Sequence, residues 1–498
     1  MLKKILIANR GEIAVRIIKA CRELNITSVA IYTDADKHSL HVRQADQAYY
    51  IGESEASKSY LNYNKILEIA KKVKVDAIHP GYGFLSENAE FISEVEKSGI
   101  VFIGPSSSSV KMMGSKTAAR QLMSLSGVPI VPGTTEPITD LDEAKEVANK
   151  IGYPVMLKAS AGGGGKGMRK VDSADYFNEA FRLASSEALK AFGNPSVYIE
   201  KFIENPKHIE VQIIADKFGN YAHLFERDCS VQRRHQKIVE EAPSSFVDEK
   251  TREKLTSAAI LAAKACGYYN AGTIEFLMDK NKNFYFLEMN TRLQVEHPIT
   301  EIITGIDLVK EQIRVASGLE LSFKQDELKI LGHAIEARVY AEDVDSNFAP
   351  SIGKIIHHKL PSGIGIRVDR GIDLLTEVSR FYDPMLAKVI GWGRTREEAI
   401  ERLHRALGEY QIAGVITNIH ALKWILRNST FIDGNFTINF IEEEFLPNIP
   451  TKWKEFDNFK YSDVAAIISA ILKDNENSLK PKQIECTPNN KWRISENE

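Results

Sequence analysis

Short apolar runs alternate with amphipathic helical patterns through the N-terminal part of the chain. The predicted strands are Ile5–Ala8, Ser28–Tyr32, Ala77–Ile78 and Val101–Ile103, and the predicted helices are Glu12–Leu24, Asn62–Val73 and Asn88–Ser98. Such alternation predicts a doubly wound parallel sheet. Ligands of these sheets bind beyond the carboxyl ends of the strands, where this chain carries two polar turns with glycine, Asn9–Glu12 and His79–Glu87.

The turn after the first strand does not match a dinucleotide site. It contains one glycine, Gly11, rather than the pattern G-x-G-x-x-G. Asp34 and Asp36 follow the second strand, where a ribose-binding acid would stand. Without the glycines, we predict that both are solvated loop charges.

Two further changes of pattern divide the rest of the chain. After Gly127–Gly133 come a glycine loop, one helix and several short strands, and from about Gly332 the sequence is rich in β-pattern up to Trp392. The predicted elements of the middle part are strand Val155–Ala159, helix Ser173–Leu189 and strands Val197–Glu200, His208–Ala215, Thr273–Met278 and Asn283–Met289. Helices follow from Glu397 and His420, and the polar stretch from about Pro450 contains one predicted helix, Ser462–Leu472.

Composition and charge exclude several classes of protein. A length of 498 residues suggests roughly three domains. The net charge of -3 provides no overall positive field for nucleic acid. Because no apolar run is long enough for a signal peptide or a membrane span, we predict a cytoplasmic protein. The four scattered cysteines predict reduced and mostly buried thiols rather than disulfides or a zinc site.

A glycine loop is the first candidate for contact with phosphate. Gly162–Gly167 lets backbone N–H groups approach a polyphosphate, and Lys166 adds charge. It is not a P-loop, because glycine rather than Ser or Thr follows the lysine. Lys158 before the loop and Lys116 upstream add charge, although each lysine alone is typical of a protein surface, and the loop alone also fits a lid without a ligand.

The segments 273–280 and 283–290 predict a hairpin around the two-residue turn Asn281-Lys282. A symmetric turn places Glu275 directly opposite Glu288, which is unfavourable unless a cation bridges the two carboxylates. Asn290 lies on the same face as Glu288, because strand side chains repeat every two residues. Two carboxylates and an amide oxygen predict a site for Mg²⁺ or Mn²⁺, and the alternative is two solvated glutamates.

Two other clusters of polar residues stand out. If the strand period continues beyond the hairpin, Arg292, Gln294 and Glu296 share a face, as an anion site with a general base or as a structural salt bridge. The basic segment Arg227–Lys237 suits a nucleotide tail or a small oxyanion, but it is also typical of a solvated loop.

The sequence resembles the biotin carboxylases of the ATP-grasp superfamily over about residues 1–447. The matching motifs, in order, are Ile5–Ala14, His79–Glu87, Lys158–Met168, Glu288–His297, Glu336–Glu342 and Tyr382–Met385. The resemblance implies a doubly wound N-terminal domain, a central ATP-grasp domain with a mobile glycine-loop lid, and a C-terminal β-rich domain with helices. The expected boundaries are 1–114, 115–330 with the lid at about 131–203, 331–447, and a polar extension 448–498.

The resemblance also implies roles for single residues. The implied ATP contacts are Lys116, Lys158, Gly163, Gly164, Gly165, Met168, Glu200, Lys201, Ile203, His208, Gln232, His235 and Leu277. The implied bicarbonate and biotin contacts are Tyr82, Lys237, Arg292, Gln294, Val295, Glu296 and Arg338, with Glu296 as the base and Arg338 facing the biotin oxygen. Glu275, Glu288 and Asn290 take the implied metal, in agreement with the hairpin argument.

Partners and alternatives follow from the same resemblance. The chain contains no Met-Lys-Met sequence to carry biotin, so we expect carrier and carboxyltransferase on separate chains, and we expect a homodimer. The tail suggests the biotin carboxylase component of a two-component pyruvate carboxylase. The alternatives are the corresponding component of acetyl-CoA or propionyl-CoA carboxylase, another ATP-grasp ligase, and a non-catalytic assembly protein.

Overall fold

The computed structural model describes residues 2–134, 136–159, 168–192, 195–449, 468, 469, 471 and 472. The chain divides into two units, Met1–Pro447 and Asn448–Glu498. In the second unit the four described residues of the predicted helix Ser462–Leu472 are helical, and its other residues lie outside the described part of the chain. Residues 160–167, which include the glycine loop Gly162–Gly167, and Cys486 also lie outside it. In the part of the chain that is described, no helix is both long and apolar enough to cross a membrane.

Five parallel strands form the N-terminal sheet, in the order β3-β2-β1-β4-β5. They are β1 (Lys4–Ile7), β2 (Thr27–Thr33), β3 (Gln47–Gly52), β4 (Ala77–His79) and β5 (Val101–Phe102). The helices are α1 (Gly11–Glu23), α2 (Leu40–Gln44), α3 (Tyr63–Val73), α4 (Ala89–Lys97), α5 (Ser107–Gly114) and α6 (Lys116–Leu125). Ile5 and Ile7 pack with α1 and Leu6 packs with α3 and α4, so both faces are covered and the doubly wound prediction is confirmed.

The two polar turns meet beyond the carboxyl ends of β1 and β4. The amide of Asn9 donates to the carbonyl oxygens of Pro80 and Tyr82, each at 2.7 Å. The prediction for Asp36 was wrong, because it is fully buried and accepts from Arg10 at 2.7 Å, whereas Asp34 is exposed as predicted. The Arg10 guanidinium outweighs burial and holds the pKa of Asp36 well below its usual range.

A second, three-stranded sheet has the order β7-β6-β8. Its elements are α7 (Leu141–Ile151), β6 (Val155–Ala159), β7 (Met168–Val171), α8 (Ala174–Phe192) and β8 (Val197–Lys201). Val155 and Leu157 of β6 pack against Phe177 and Phe181 of α8 in one buried cluster. The predicted strand Val155–Ala159 is therefore confirmed, and its apolar alternate positions explain why it was found.

The remaining strands lie between residues 207 and 413. They are β9 (Lys207–Ala215), β10 (Tyr221–Arg233), β11 (Gln236–Ala242), β12 (Asn270–Met278), β13 (Phe284–Asn290), β14 (His333–Tyr340), β15 (Glu342–Asp343), β16 (Ala349–Pro350), β17 (Gly353–Lys354), β18 (His357–Lys359), β19 (Ile366–Arg370), β20 (Glu377–Val378), β21 (Met385–Gly393) and β22 (Gln411–Ala413). Eight form one antiparallel sheet, β13-β12-β9-β10-β11-β14-β21-β19, and the others pair as β15-β16, β17-β20 and β18-β22.

Six α-helices accompany these strands. They are α9 (Glu249–Ala265), α10 (His297–Thr304), α11 (Leu308–Ala316), α12 (Arg396–Glu409), α13 (Ile419–Ile425) and α14 (Ser429–Ile432). Short 3-10 turns occur at Asp34–Asp36, Ala56–Lys58, Gln325–Glu327 and Leu446–Asn448, and a π-turn at Ile441–Phe445. Because β11 pairs with β14, the large sheet runs through the boundary predicted near residue 330, and the domain boundaries stay predictions.

The basic segment Arg227–Lys237 is not a solvated loop. It belongs to the β10–β11 hairpin, which the sequence analysis missed, and Arg227 is fully buried. Only the tip of the hairpin, including His235, is exposed. Cys229 on β10 is also fully buried, as are Cys21 and, almost completely, Cys266, which confirms the prediction for the cysteines that the structure describes.

Candidate active site

The Lys237 ammonium group lies among three carboxylates. Its Nζ donates to Glu210 at 2.6 Å, Glu275 at 2.9 Å and Glu296 at 2.7 Å. These acids come from β9, β12 and the segment before α10, so the fold brings together residues that are far apart in sequence. Because the Lys237 side chain is only 11% exposed, its charge is balanced by these carboxylates rather than by water.

Glu296 has two cationic partners. It accepts from Lys237 at 2.7 Å and from the Arg338 guanidinium at 2.9 Å, and it is almost fully buried. Burial alone would raise the pKa of this carboxyl, but Lys237 and Arg338 outweigh burial and hold the pKa well below its usual range. Glu296 is therefore ionised at neutral pH, which is the state that a proton acceptor requires.

The segment from Thr291 to Glu296 is a loop, so the predicted continuation of the strand was wrong. Strand β13 ends at Asn290. Arg292 Nε donates to Glu87 at 2.8 Å, and its Nη2 donates to Asn290 Oδ1 at 2.9 Å. Gln294 Nε2 donates to Glu275 at 2.8 Å. The residues converge on one site through these side-chain contacts rather than through a strand period of two.

Glu275 and Glu288 are cross-strand partners, as predicted, although the turn differs from the prediction. The loop closes with Met278 opposite Phe284, and a bulge at Leu287 restores the predicted register at Glu275. Glu275 is buried, whereas Glu288 is exposed and, within the described residues, makes no hydrogen bond or ion pair.

The hairpin carboxylates fit a divalent cation. Although part of the Glu288 side chain is exposed, partial desolvation of its carboxyl raises the pKa of Glu288, and the neighbouring Glu275 charge raises it further, so a cation here would relieve an existing repulsion. Asn290 Oδ1 lies on the same strand and accepts from Arg292. A second group with the geometry to hold a metal comprises His208, Glu210 and Glu275, whose ligand atoms lie within 4.8 Å of one another. It shares Glu275 with the hairpin, and its other acid, Glu210, is fully buried and already paired with both Arg227 and Lys237.

The residues predicted to contact the nucleotide lie on several elements of the fold. Lys158 on β6 forms an ion pair with Glu200 on β8, and Arg120 donates to the same carboxylate at 2.8 Å. Lys201 donates to the carbonyl oxygens of Gly152 and Tyr153, so its side chain is used within the fold.

The other predicted nucleotide residues differ in exposure. His208 is buried and its Nε2 lies 2.9 Å from Glu275, which raises the pKa of His208 against the effect of burial. Lys116 and His235 are exposed, Gln232 is buried, and Ile203 and Leu277 are half-buried. Gly163, Gly164, Gly165 and the Met168 side chain lie outside the described part of the chain.

Arg338 and its surroundings form the other side of the site. Arg338 Nε donates to Glu240 at 2.5 Å, while Lys388 Nζ donates to the Val295 carbonyl oxygen at 2.7 Å. The Lys388 ammonium also lies 5.9 Å from the centre of the half-buried Tyr82 ring. Both strands that carry these cations, β14 and β21, belong to the same sheet as Lys237.

Several residues that hold the site together were not predicted as site residues from the sequence. Arg227 donates to Glu210, Gln212, Thr273, Gln294 and Thr300, and it connects the carboxylate cluster with the 291–296 loop. The sequence contained one pattern that could have indicated Glu210 and Gln212. His208, Glu210 and Gln212 alternate with Ile209, Val211 and Ile213 on a predicted strand, which predicts one polar face.

Comparison with known proteins gives three family matches. They are the biotin carboxylase N-terminal domain at residues 1–110, the ATP-binding domain of the carbamoyl-phosphate synthase L chain at 115–324, and the biotin carboxylase C-terminal domain at 336–443. A pyruvate carboxylase subunit of Methanothermobacter thermautotrophicus is 55% identical over 443 residues, covering 89% of this chain and 90% of the relative. The 2-oxoglutarate carboxylase small subunit of Hydrogenobacter thermophilus is 47% identical, covering 95% of this chain and 99% of the relative.

Several solved structures similar to this chain contain ligands, and one of them holds both a nucleotide and bicarbonate. It is the dimer of the biotin carboxylase domain of the Hydrogenobacter thermophilus 2-oxoglutarate carboxylase, in complex with MgADP, ADP and bicarbonate. Its TM-score is 0.82 at 47% identity, covering 92% of this chain and 100% of that chain.

Proposed function

The chain belongs to the biotin carboxylase family of ATP-grasp ligases, and from that premise we propose that it uses ATP and bicarbonate to carboxylate biotin on a separate carrier protein. The observation that carries the proposal is the convergence of Lys237, Glu296 and Arg338 from three remote segments on one buried site. An ionised carboxylate between two cations suits the deprotonation of a small anion and the stabilisation of a developing charge.

In the first step, Glu296 accepts the proton of bicarbonate. Arg292 holds the anion while a bicarbonate oxygen attacks the γ-phosphorus of ATP, so that carboxyphosphate forms and ADP leaves. The Arg292 side chain is 21% exposed and is oriented by Glu87, so its guanidinium is in place without being fully enclosed. Lys237, Gln294 and the Val295 backbone would surround the same anion.

In the second step, carboxyphosphate breaks into CO₂ and phosphate. The phosphate takes the N1 proton of biotin, and N1 then attacks CO₂ to form the N–C bond of carboxybiotin. Arg338 stabilises the enolate oxygen of biotin through its charge. The loop residue Tyr82 lies beside Lys388 at the carboxyl end of β4, where it would contact the biotin ring.

The nucleotide is proposed to lie between the three-stranded sheet and the large sheet. Lys116, Lys158, Gly163, Gly164, Gly165, Met168, Glu200, Lys201, Ile203, His208, Gln232, His235 and Leu277 would contact it. Glu275, Glu288 and Asn290 would hold Mg²⁺ or Mn²⁺, which supplies charge neutralisation for the phosphates when bound. Mg²⁺ has support from the MgADP complex of the Hydrogenobacter relative.

We propose pyruvate as the final acceptor, on a carboxyltransferase that is a separate chain. The support is the identity of 55% with a subunit of a pyruvate carboxylase. The identity of 47% with a 2-oxoglutarate carboxylase subunit shows that other acceptors occur among close relatives, and acetyl-CoA or propionyl-CoA remains the alternative. A homodimer is proposed because the similar Hydrogenobacter domain is described as a dimer.

The test uses the purified chain with ATP, Mg²⁺ and labelled bicarbonate, with and without free biotin. The expected result is biotin-stimulated ADP release and label in carboxybiotin. ATP binding without any bicarbonate-dependent cleavage, both alone and with a biotinylated carrier, would support the non-catalytic assembly protein instead. Bicarbonate-independent cleavage stimulated by an amine or a carboxylic acid would support another ATP-grasp ligase.

A further inference from the structure

Behind Arg338 lie two buried glutamates that the proposed reaction does not use. Glu240 on β11 and Glu336 on β14 are direct cross-strand partners in the large antiparallel sheet. Their side chains are 1% and 0% exposed. Residues opposite each other in antiparallel strands project to the same face, and two like charges in this arrangement repel.

Hydrogen bonding of the two carboxylates is incomplete. Glu240 Oε1 accepts from Arg338, but Glu240 Oε2 and both oxygens of Glu336 have no hydrogen-bond partner among the described residues. A buried acceptor without a partner is costly, and a buried ionised acceptor is costlier still. One proton between the pair would give an oxygen of each glutamate a partner.

The surrounding charges also require a proton. The charged or titratable groups that face the pair from neighbouring elements are Cys229, Lys237, Glu296, Arg338 and Lys388. Lys388 lies 3.1 Å from Glu12, and Arg338 is shared by Glu240 and Glu296. Lys237 is occupied by Glu210, Glu275 and Glu296, so Glu336 has no cation within ion-pair distance in the described structure.

We propose that Glu240 and Glu336 share one proton at neutral pH and act as a positioning pair for Arg338. This inference rests on the proposed function, because Arg338 is the group assigned to the biotin oxygen. With the proton present, the pair carries one negative charge, and Arg338 remains balanced between Glu240 and Glu296. Loss of the proton adds a second negative charge behind the guanidinium and draws it away from Glu296 and from biotin.

The titration of the pair agrees with its geometry. Burial is the main cause that raises the pKa of Glu240 to about 7, against the effect of Arg338. Burial also raises the pKa of Glu336 well above its ordinary value, and Glu240 adds to that rise. Both pKa values lie above that of a glutamate in the unfolded chain. The contribution of the pair to folding stability is therefore fully present at pH values below the pKa of an unfolded glutamate, and it is lost as pH rises through neutrality.

Glu336→Gln tests the shared proton directly, because an amide resembles a protonated carboxyl. Infrared spectra with ¹³C-labelled glutamate carboxyls should show protonated C=O absorption in the wild type at neutral pH, and Glu336→Gln should lose the contribution of one carboxyl. Any absorption that remains in the variant belongs to Glu12 and Glu342, because burial raises the pKa of each to about 7. Glu241→Gln is the matched control, since Glu241 is also buried on β11 but is held ionised by Arg396 at 2.8 Å, and it should keep the wild-type absorption. A wild-type spectrum without any protonated carboxyl at neutral pH would overturn the inference whether or not the variants fold.

Kinetics test the positioning role. Glu240→Gln removes the charged partner of Arg338, so biotin carboxylation should fall roughly tenfold to a hundredfold, as expected for the loss of a hydrogen bond to a charged group, while ATP binding is retained. Glu336→Gln should move the alkaline fall of biotin carboxylation to higher pH. Unchanged pH profiles and an unchanged rate in Glu240→Gln would refute the role. A wild type with the protonated band but no biotin carboxylation would refute only the proposed function.

Discussion

Replacement of Arg227 by methionine is the sharpest test of how the site is held together. The guanidinium is fully buried and donates at 2.5 Å to Glu210, 2.6 Å to Gln294, 2.8 Å to Gln212 and Thr300, and 3.2 Å to Thr273. Methionine has a similar length but no donor, so it would leave a buried carboxylate and several amide and hydroxyl oxygens without this partner.

The expected loss follows from burial. Removing one partner of a buried ion pair costs about 3–5 kcal/mol, because the remaining charge stays uncompensated. Urea unfolding of Arg227→Met should therefore give a free energy of unfolding lower by about that amount. Lys237 still contacts Glu210 at 2.6 Å, which keeps the loss within this range rather than above it.

Two variants serve as controls for this experiment. Arg405 forms an exposed pair with Glu409, and Arg405→Met should cost only about 0.3–0.5 kcal/mol. Arg227→Lys keeps the charge but not the five donors, so its loss should be intermediate. The Michaelis constant for bicarbonate should rise in Arg227→Met, because Gln294 loses its anchor. Equal stability losses in Arg227→Met and Arg405→Met would refute the reasoning.

Four other perturbations have defined outcomes. Glu296→Ala should abolish bicarbonate-dependent ATP cleavage with nucleotide binding retained, and loss of ATP binding in a filter assay would contradict its assignment as the base. Replacing Glu275 and Glu288 together by Gln should weaken metal–ATP binding, and an unchanged Mg²⁺ titration would refute the hairpin site. Two arginines outweigh burial and lower the pKa of Glu301 to about 2, so its contribution to stability is present above the ordinary pKa near 4.5 and is lost as pH falls towards 2. In Glu301→Gln the melting temperature should therefore depend less on pH between 4.5 and 2 than in the wild type. A Cβ at Gly272 would lie 2.7 Å from a buried tyrosine ring, so Gly272→Ala should cost about 1–3 kcal/mol in a urea titration.

The N-terminal sheet was predictable because each central strand is buried on both faces. Lys4–Ile7 and Thr27–Thr33 appear in the sequence as continuous apolar runs between helical patterns. The strand Gln47–Gly52 was missed, since its residues are mostly only half-buried and alternate weakly. Local burial therefore decides which parallel strands a sequence reveals.

The large sheet was harder to predict because its central strands carry buried charges. Arg227 and Asp228 lie in β10, and Glu240 and Glu241 lie in β11, where the sequence suggests a solvated loop. The partners that make burial of these charges acceptable are distant in sequence, such as Arg338 for Glu240. A local sequence pattern does not indicate which distant residues will pair with a buried charge.

The hairpin that carries Glu275 and Glu288 was predicted correctly in the pairing of these two residues but not in its turn. A five-residue loop from Asp279 to Asn283 replaces the predicted two-residue turn, and one additional residue at Leu287 compensates for the change. A bulge leaves no signature in the hydrophobic pattern when its residue faces solvent, as Leu287 does. The agreement at Glu275 and Glu288 thus depends on two deviations that cancel.

The pairing of β11 with β14 has a consequence for how this protein can be cut. Families assigned to residues 115–324 and 336–443 meet between these strands, yet Val239 to Ala242 are hydrogen-bonded in register with Ala334 to Ala337. A fragment that stops before His333 would lack β14 and would leave backbone N–H and C=O groups of β11 unpaired at the edge of the sheet. Such an edge strand forms hydrogen bonds with other chains and promotes aggregation. Expression of the two segments as separate polypeptides should therefore give aggregates or a reassembled pair, and the boundary in sequence classification is not a boundary of independent folding.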